Sequence, residues 1–118
     1  MDRCYTTPGE DLLKGAYIIS DPHEGLRDGA LLFDAADEAL TQRAALYLAV
    51  QGVALRLIRI EDFGRFMAQG REYRDRLLGG FPSAVVKNAE WAEALGAAEA
   101  RGEAPAELAA AIKAAILG

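Results

Sequence analysis

The chain has 118 residues, of which 52% are hydrophobic and 26% are charged, and its formal net charge is -5. This size fits one domain with a single packed core, and the apolar content excludes a largely disordered chain. The acidic balance disfavours a nucleic-acid binder, which needs a concentrated basic surface to displace counterions from phosphates.

Cysteine usage and targeting signals indicate the compartment. Cys4 is the single cysteine, so an internal disulfide is excluded and a reducing compartment fits best. The first ten residues lack the apolar run of a secretory signal, and no stretch of about 18 apolar residues occurs. We therefore expect a cytoplasmic protein with one domain over residues 1–118 and with neither a membrane nor a nucleic-acid partner.

The first half of the chain predicts two strands, a helix and a third strand. Residues 1–11 are mostly polar, which predicts a lead-in arm over residues 1–13, and two short apolar runs around a turn predict an antiparallel pair of strands. Helical spacing follows, with Asp34 or Asp37 placed to cap the helix and Gly52 to end it. The predicted strands are Gly15–Ser20, Gly29–Phe33 and Val53–Ile60.

The second half predicts a helix, a fourth strand and a helical tail. A helix begins after Asp62 and ends at Gly79, and Ser83–Lys87 (SAVVK) is the fourth strand. Residues 89–118 form a divergent tail with helices over Glu90–Arg101 and Ala106–Leu117. Strands that alternate with helices need crossover connections. We expect a three-layer α/β fold with a mostly parallel four-stranded sheet and one antiparallel edge strand.

Cys4 and His23 are the residues most able to form a nucleophile and base pair. Cys4 lies in the lead-in arm and His23 lies in a turn, whereas an activated thiolate needs a fixed, electropositive setting. We therefore do not expect catalysis from this pair. A zinc site would need mostly carboxylate ligands, and the sequence shows no such cluster.

Charged residues accumulate at two places in the predicted sheet. Asp34, Asp37 and Glu38 crowd one helix start, where acids can chelate magnesium but more often complement the helix dipole. Arg56 and Arg59 lie on an otherwise apolar strand, and we expect one of them to pair with an acid or to reach the end of the sheet. The alanine-rich last helix predicts close approach of another element, either its own sheet or another subunit.

Five segments follow one another in a recognisable order. KGAYII begins at Lys14, DGALLFDAADE at Asp28 and VALRLIRIE at Val53, and SAVVK closes the series at Lys87. Between the last two lies a run that contains Phe63, Phe66, Gln69, Tyr73, Arg74 and Leu78. In this order the segments resemble the C-terminal domain of transketolases. The family-motif positions that the resemblance marks are Glu38, Phe66, Gln69, Tyr73 and Arg74.

The resemblance has limits that bear on fold and function. Past Asn88 the family has a glycine-rich loop and a fifth strand, whereas this chain runs into predicted helices, so we expect the fifth strand to be lost or replaced. In transketolases, thiamine diphosphate and its metal lie between the two preceding domains. The resemblance therefore implies no catalytic residue, no metal site and no cofactor bound by this chain alone.

The function that the resemblance implies is that of a stand-alone, shortened and non-catalytic module. Its role would be structural, regulatory or in assembly, either as a homo-oligomer or as a partner of separately encoded thiamine-diphosphate enzyme subunits. The alternative is a module that binds a small ligand, an anion or a metabolite, at the carboxyl ends of the sheet strands, where open α/β sheets generally bind ligands.

Overall fold

The computed structural model of the chain describes residues 15–21 and 28–117. Cys4 and His23 lie outside these residues. The strands are β1 (Ala16–Ser20), β2 (Gly29–Asp34), β3 (Leu55–Ile60), β4 (Ser83–Val86) and β5 (Ala98–Ala100). The helices are α1 (Glu38–Val50), α2 (Phe63–Met67), α3 (Arg71–Leu78), α4 (Ala89–Leu95) and α5 (Pro105–Leu117), and a short 3-10 turn, Ala35–Asp37, precedes α1.

The five strands form one sheet in the order β1-β3-β2-β4-β5. Strand β1 is antiparallel to β3, and all other neighbours are parallel. The predicted mostly parallel sheet with one antiparallel edge strand is therefore confirmed. The predicted pairing of β1 with β2 is wrong, because β3 lies between them. Strand β3 is almost entirely buried and four of its six residues are apolar, which favours the inner position, whereas β1 ends in the exposed Ser20.

Within the described residues, the sheet has five strands rather than the predicted four. The predicted helix over Glu90–Arg101 is wrong in its second half: α4 ends at Leu95, and Gly96 takes a left-handed backbone with φ +68°. The chain then pairs with β4, with Ala98 opposite Ala84 and Ala100 opposite Val86. Alanine favours helices in isolation, but pairing along β4 overrides that preference.

The single helix predicted after Asp62 is two short helices. Asp62 caps α2 through a hydrogen bond from the Arg65 backbone N–H to its Oδ1 atom, 3.0 Å long. Gly70, with φ +94°, separates α2 from α3. The apolar spacing continues across this break because both helices pack on the same face of the sheet, where Phe66 and Tyr73 share one apolar cluster.

Two apolar clusters, one on each face of the sheet, make the fold three-layered. Helices α1 and α5 cover one face through Leu48, Leu108 and Ile112. Helices α2, α3 and α4 cover the other face, and Phe63 stacks on Trp91 there with ring centroids 4.9 Å apart. Strands β2, β3 and β4 contribute alternate residues to both clusters, as expected of strands buried on both sides.

Candidate functional site

The carboxyl ends of β2, β3 and β4 meet at one edge of the sheet, which we call the carboxyl edge. The first residue of β1 also lies there, because β1 runs in the opposite direction. Charged side chains follow each of the parallel strands. They are Asp34, Asp37 and Glu38 after β2, Arg59 and Glu61 at the end of β3, and Lys87 after β4.

Arg59 lies at the centre of the first charged group. Its Nη1 atom is 2.7 Å from Oε1 of Glu38, and its Nε atom is 2.6 Å from Oε2 of Glu61. The Tyr17 hydroxyl donates a 3.1 Å hydrogen bond to the same Glu61 oxygen. These contacts join β1, α1 and the β3–α2 turn. The Arg59, Glu38 and Glu61 side chains keep about 30% of their surface exposed.

The environment of this group raises two pKa values. Burial raises the pKa of Tyr17, and its hydrogen bond to Glu61 adds to the effect. Burial lowers the pKa of Arg59, but interactions with Tyr17, Glu61 and Glu38 outweigh it, so the pKa is raised overall. Tyr17 is therefore neutral and Arg59 positively charged at neutral pH. Neither is prepared for proton transfer there, since an efficient acid or base needs a pKa near the working pH.

Lys87 lies at the centre of the second charged group, between the ends of β2 and β4. Its Nζ atom is 3.2 Å from Oε1 of Glu103 and 3.7 Å from Oδ1 of Asp37. Its backbone has φ +51°, which is unusual for a residue with a β-carbon. The hydrogen bond to Glu103 is the main cause that raises the pKa of Lys87.

Lys87 also marks the topological switch point of the sheet. The connection after β2 passes through α1, which packs on one face, whereas the connection after β4 passes through α4, which packs on the other. Open α/β sheets usually bind ligands in the crevice that this divergence creates. Here Lys87 and Asp37 reach towards each other across it.

The remaining family-motif positions lie together on the opposite layer, away from Glu38. Phe66 is fully buried. The Tyr73 hydroxyl donates a 2.8 Å hydrogen bond to the Ala16 carbonyl, which attaches α3 to β1. Gln69 Nε2 donates to the Arg65 carbonyl at 2.9 Å, and Arg74 Nη1 donates to the Met67 carbonyl at 2.8 Å. These contacts hold α2 and α3 in place, so Phe66, Gln69, Tyr73 and Arg74 act as packing and capping residues in this fold.

Arg56 and Asp21 form the most buried ion pair seen in the described residues, and Arg56 lies at the opposite end of β3 from Arg59. Its Nε and Nη2 atoms each lie 3.0 Å from an oxygen of Asp21, and its Nη1 atom donates to the carbonyls of Arg76 and Leu77 at 3.1 and 2.8 Å. Arg56 therefore closes the last turn of α3. The sequence predicted that one arginine of β3 would pair with an acid or reach the end of the sheet, and in the structure both arginines pair with acids. Nothing in the sequence marked Asp21 as the partner of Arg56, apart from its place in a predicted turn.

A groove lies beside this ion pair, between α1 and the first residues of β3. Its volume is about 490 Å³. Most of its lining is apolar, and Ser20, Gln42 and Asp21 have the side chains that could orient a ligand by hydrogen bonding or charge. The lining residues are Ser20, Asp21, Gln42, Ala45, Leu46, Ala49, Val53, Ala54, Leu55 and Leu57.

The described residues do not fit thiamine diphosphate. Within residues 15–21 and 28–117, no group of three or more histidine, cysteine, aspartate or glutamate side chains could hold a metal ion. Carboxylates outnumber cations at the carboxyl edge, so a diphosphate would be repelled there. That this chain alone binds no cofactor stays a prediction. None of the helices in the same ranges has the length and apolar content needed to cross a membrane.

Comparison with known proteins finds transketolases whose sequences are similar to part of this chain. A transketolase of Geobacillus stearothermophilus is 35% identical over 78 residues, and transketolase 1 of Aliivibrio fischeri is 35% identical over 77 residues. The chain carries a transketolase-like domain. The matched stretches make up 66% and 65% of this chain but only 11% of each relative. No family model matches the chain.

Solved transketolase structures support the same assignment. The transketolase of Pichia stipitis in complex with sedoheptulose-7-phosphate superposes with a TM-score of 0.75 over 92% of this chain and 19% of that protein. Its identity is 16%, so this likeness concerns the fold alone. The Campylobacter jejuni transketolase is 25% identical, with a TM-score of 0.63 over 80% of this chain and 15% of that protein. The resemblance to a transketolase C-terminal domain is thus confirmed.

Proposed function

We propose that the transketolase-like domain is a non-catalytic module with a structural, regulatory or assembly role. Its partners are further copies of itself or separately encoded thiamine-diphosphate enzyme domains. One observation carries the proposal: the five family-motif side chains are all used inside the domain. Glu38 holds Arg59, and the other four fix α2, α3 and β1, so none of the five is directed at a reacting group.

The charges at the carboxyl edge support the same proposal. Arg59 and Lys87 are each held between two carboxylates, which raises both pKa values. A catalyst stabilises the transition state with donors and charges directed at it. Cations that are already neutralised by neighbouring acids are poorly suited to that task.

Two measurements test the proposal on the purified full chain. The first is transketolase activity with added thiamine diphosphate and magnesium, with a complete bacterial transketolase as the positive control. Turnover by the chain alone, lost when Arg59 is changed to Met, would overturn the proposal.

The second measurement is co-expression of the tagged chain with the thiamine-diphosphate-binding domains of a transketolase. We expect either copurification with those domains or self-association, and a monomer that copurifies with nothing contradicts an assembly role.

A second candidate function is the binding of a small ligand at the switch-point crevice. The observation that favours it is the left-handed backbone of Lys87, since strained backbone often occurs at functional sites. The ligand would have to replace Glu103 at the Lys87 amine. Glu103 is suited to such an exchange, because its side chain is 82% exposed.

A thermal-shift screen separates this candidate from the first. Sugar phosphates, nucleotides and divalent metal ions are tested at millimolar concentration, because any ligand of the native state raises the melting temperature. The control is Lys87→Asn, which tolerates the left-handed backbone and removes the charge. A shift that the variant loses supports binding at this crevice, whereas no shift with any class rejects the candidate.

A further inference from the structure

Exposed large hydrophobic residues of the described chain are concentrated on a single helical layer. They are Leu46, Tyr47 and Val50 on α1 and Leu117 on α5, with exposed fractions of 66%, 48%, 89% and 51%. The second half of α1, from Ala44 to Val50, contains no charged side chain and only the Tyr47 hydroxyl as a polar group. A helix that is apolar all round is normally covered on all sides.

Helices α1 and α5 lie side by side and run in the same direction. Both begin at the carboxyl edge, and near their other ends Lys113 Nζ donates a 3.0 Å hydrogen bond to Oε1 of Gln51. Their outward surfaces form what we call the α1–α5 face. Its exposed residues are Ala39, Gln42, Arg43, Leu46, Tyr47, Ala49 and Val50 from α1, and Ala106, Glu107, Ala110, Lys113, Ala114 and Leu117 from α5.

The size of the α1–α5 face suits a protein interface. Each helix has 13 residues, so each is about 20 Å long, and packed helices lie about 9 Å apart. With side chains included, the face measures about 20 by 20 Å, or about 400 Å² in projection, which corresponds to a small interface beside the roughly 800 Å² that each partner buries in a standard-size complex. The alanines of α5 would let another helix approach closely.

The charges on this face indicate what covers it. Arg43 lies eight residues before Gln51 on α1, and Glu107 lies six residues before Lys113 on α5. Since Gln51 and Lys113 are in contact, Arg43 and Glu107 lie about 12 and 9 Å along their helices from that contact, at nearly the same height. A two-fold axis parallel to the helices would set Arg43 of one copy opposite Glu107 of the other, twice in each dimer.

We propose that the α1–α5 face binds the same face of a second copy of this chain about such an axis. Leu46 and Val50 supply the apolar centre of the interface, and reciprocal Arg43–Glu107 ion pairs set its register. This inference rests on the assembly role proposed above and names the partner as the chain itself. It places the dimer contact on the layer away from α2, α3 and α4.

Sedimentation of the purified full chain over a range of concentrations tests the inference. We expect a dimer whose dissociation constant rises about tenfold or more in Arg43→Glu and again in Val50→Glu, because both changes place a carboxylate in the contact. The double variant R43E/E107R should regain most of the lost affinity, since the pair is only reversed. Arg71→Glu, an exposed change on α3, is the matched control and should leave the dissociation constant unchanged.

Glu107 also accepts a 2.8 Å hydrogen bond from the Glu103 backbone N–H at the start of α5. If the E107R change lowers the melting temperature of the double variant, Glu107→Gln takes its place, because glutamine keeps an acceptor for this hydrogen bond and removes the charge. The double-variant arm is then Arg43→Gln with Glu107→Gln, which should be no weaker than Arg43→Gln alone.

The outcomes separate this inference from the proposed function. A monomer at millimolar concentration overturns the inference, and so does a dimer that none of these substitutions weakens. Neither outcome decides whether the chain partners thiamine-diphosphate domains, which co-expression tests. Transketolase activity of the chain alone would instead overturn the proposed function and leave the dimer to be judged by sedimentation.

Discussion

Strand β3 carries an arginine near each end, and the two have very different surroundings. The Arg56 side chain is 10% exposed and is shared between Asp21 and two backbone carbonyls of α3. The Arg59 side chain is 30% exposed and lies between the carboxylates of Glu38 and Glu61. One strand thus carries a buried, hydrogen-bonded ion pair near its amino-terminal end and a group of ion pairs about one-third exposed at the carboxyl edge.

The contrast shows how burial decides what a charged residue does. A buried ion pair contributes mainly because removing one partner leaves the other uncompensated, whereas an exposed pair contributes little and can exchange partners. The amino-terminal edge of the sheet is therefore the fixed part of the molecule. The carboxyl edge is where a ligand or partner could displace existing contacts at small cost.

The largest loss of stability should follow a substitution at the amino-terminal edge of the sheet. In Arg56→Met we expect the free energy of unfolding to fall by about 3–5 kcal/mol, because the buried Asp21 carboxylate loses its cationic partner and α3 loses the donor to its last carbonyls. Urea denaturation measures this loss. The double variant with Asp21→Asn should recover part of it, and a loss below about 1 kcal/mol for Arg56→Met would contradict the assignment of this edge as the fixed one.

A substitution at Tyr73 tests whether the family-motif residues stabilise the fold. Tyr73→Phe removes the donor to the buried Ala16 carbonyl and should cost about 1–2 kcal/mol. Tyr47→Phe is the matched control when both variants are measured at a concentration at which the chain is monomeric, since the Tyr47 side chain is then half-exposed and the change should stay within about 0.5 kcal/mol. Equal effects in the two variants would mean that the Tyr73 hydroxyl does not hold α3 to β1.

Arg59→Met makes the same substitution at the carboxyl edge, where the exposed ion pairs can exchange partners. We expect a loss of at most about 1 kcal/mol, because the Arg59, Glu38 and Glu61 side chains are about one-third exposed to solvent, which screens their attraction. The measurement is the same urea titration as for Arg56→Met. A loss as large as that of Arg56→Met would remove the contrast between the two edges.

The smallest effect concerns stability at high pH. The pKa of Lys87 is raised above its ordinary value of 10.5, so its contribution is present below that pH and is lost as the pH rises through the raised value. Tyr17, whose pKa is also raised, acts in the same direction. Melting temperatures measured from neutral to strongly alkaline pH should fall less steeply in Lys87→Met than in the parent chain. An unchanged slope would show that Lys87 makes no such contribution.

Much of the fold could be predicted because the sheet strands are distinct in the sequence. The apolar runs that contain Leu31, Ile58 and Val85 stand out between helical segments, and their spacing requires parallel crossovers. Strand β5 could not be predicted, because Ala98–Ala100 has no strand-forming side chain and depends on its pairing with β4. The partner of β1 also depends on tertiary packing, since the sequence cannot show that β3 will lie between β1 and β2.

Less of the candidate site could be predicted. The resemblance marked Glu38, but its contact with Arg59 joins residues 21 positions apart, which no spacing rule connects. The sequence also could not predict the left-handed backbone of Lys87, since such a backbone is expected mainly of glycine or asparagine. Ion-pair geometry and backbone strain arise from the assembled sheet, so a sequence pattern cannot show them.

Helix α5 has a practical consequence for anyone who expresses part of this chain. The segment that resembles transketolases by sequence ends near Lys87, yet Leu108, Ile112 and Ile116 are buried in the cluster beneath α1. A fragment trimmed to the recognisable segment would expose that cluster to water and leave β4 without β5 beside it. Such a fragment should aggregate, because it would present both a hydrophobic surface and an unprotected strand edge. We therefore expect the smallest fragment that folds to extend to the end of α5, well beyond the segment whose sequence resembles transketolases.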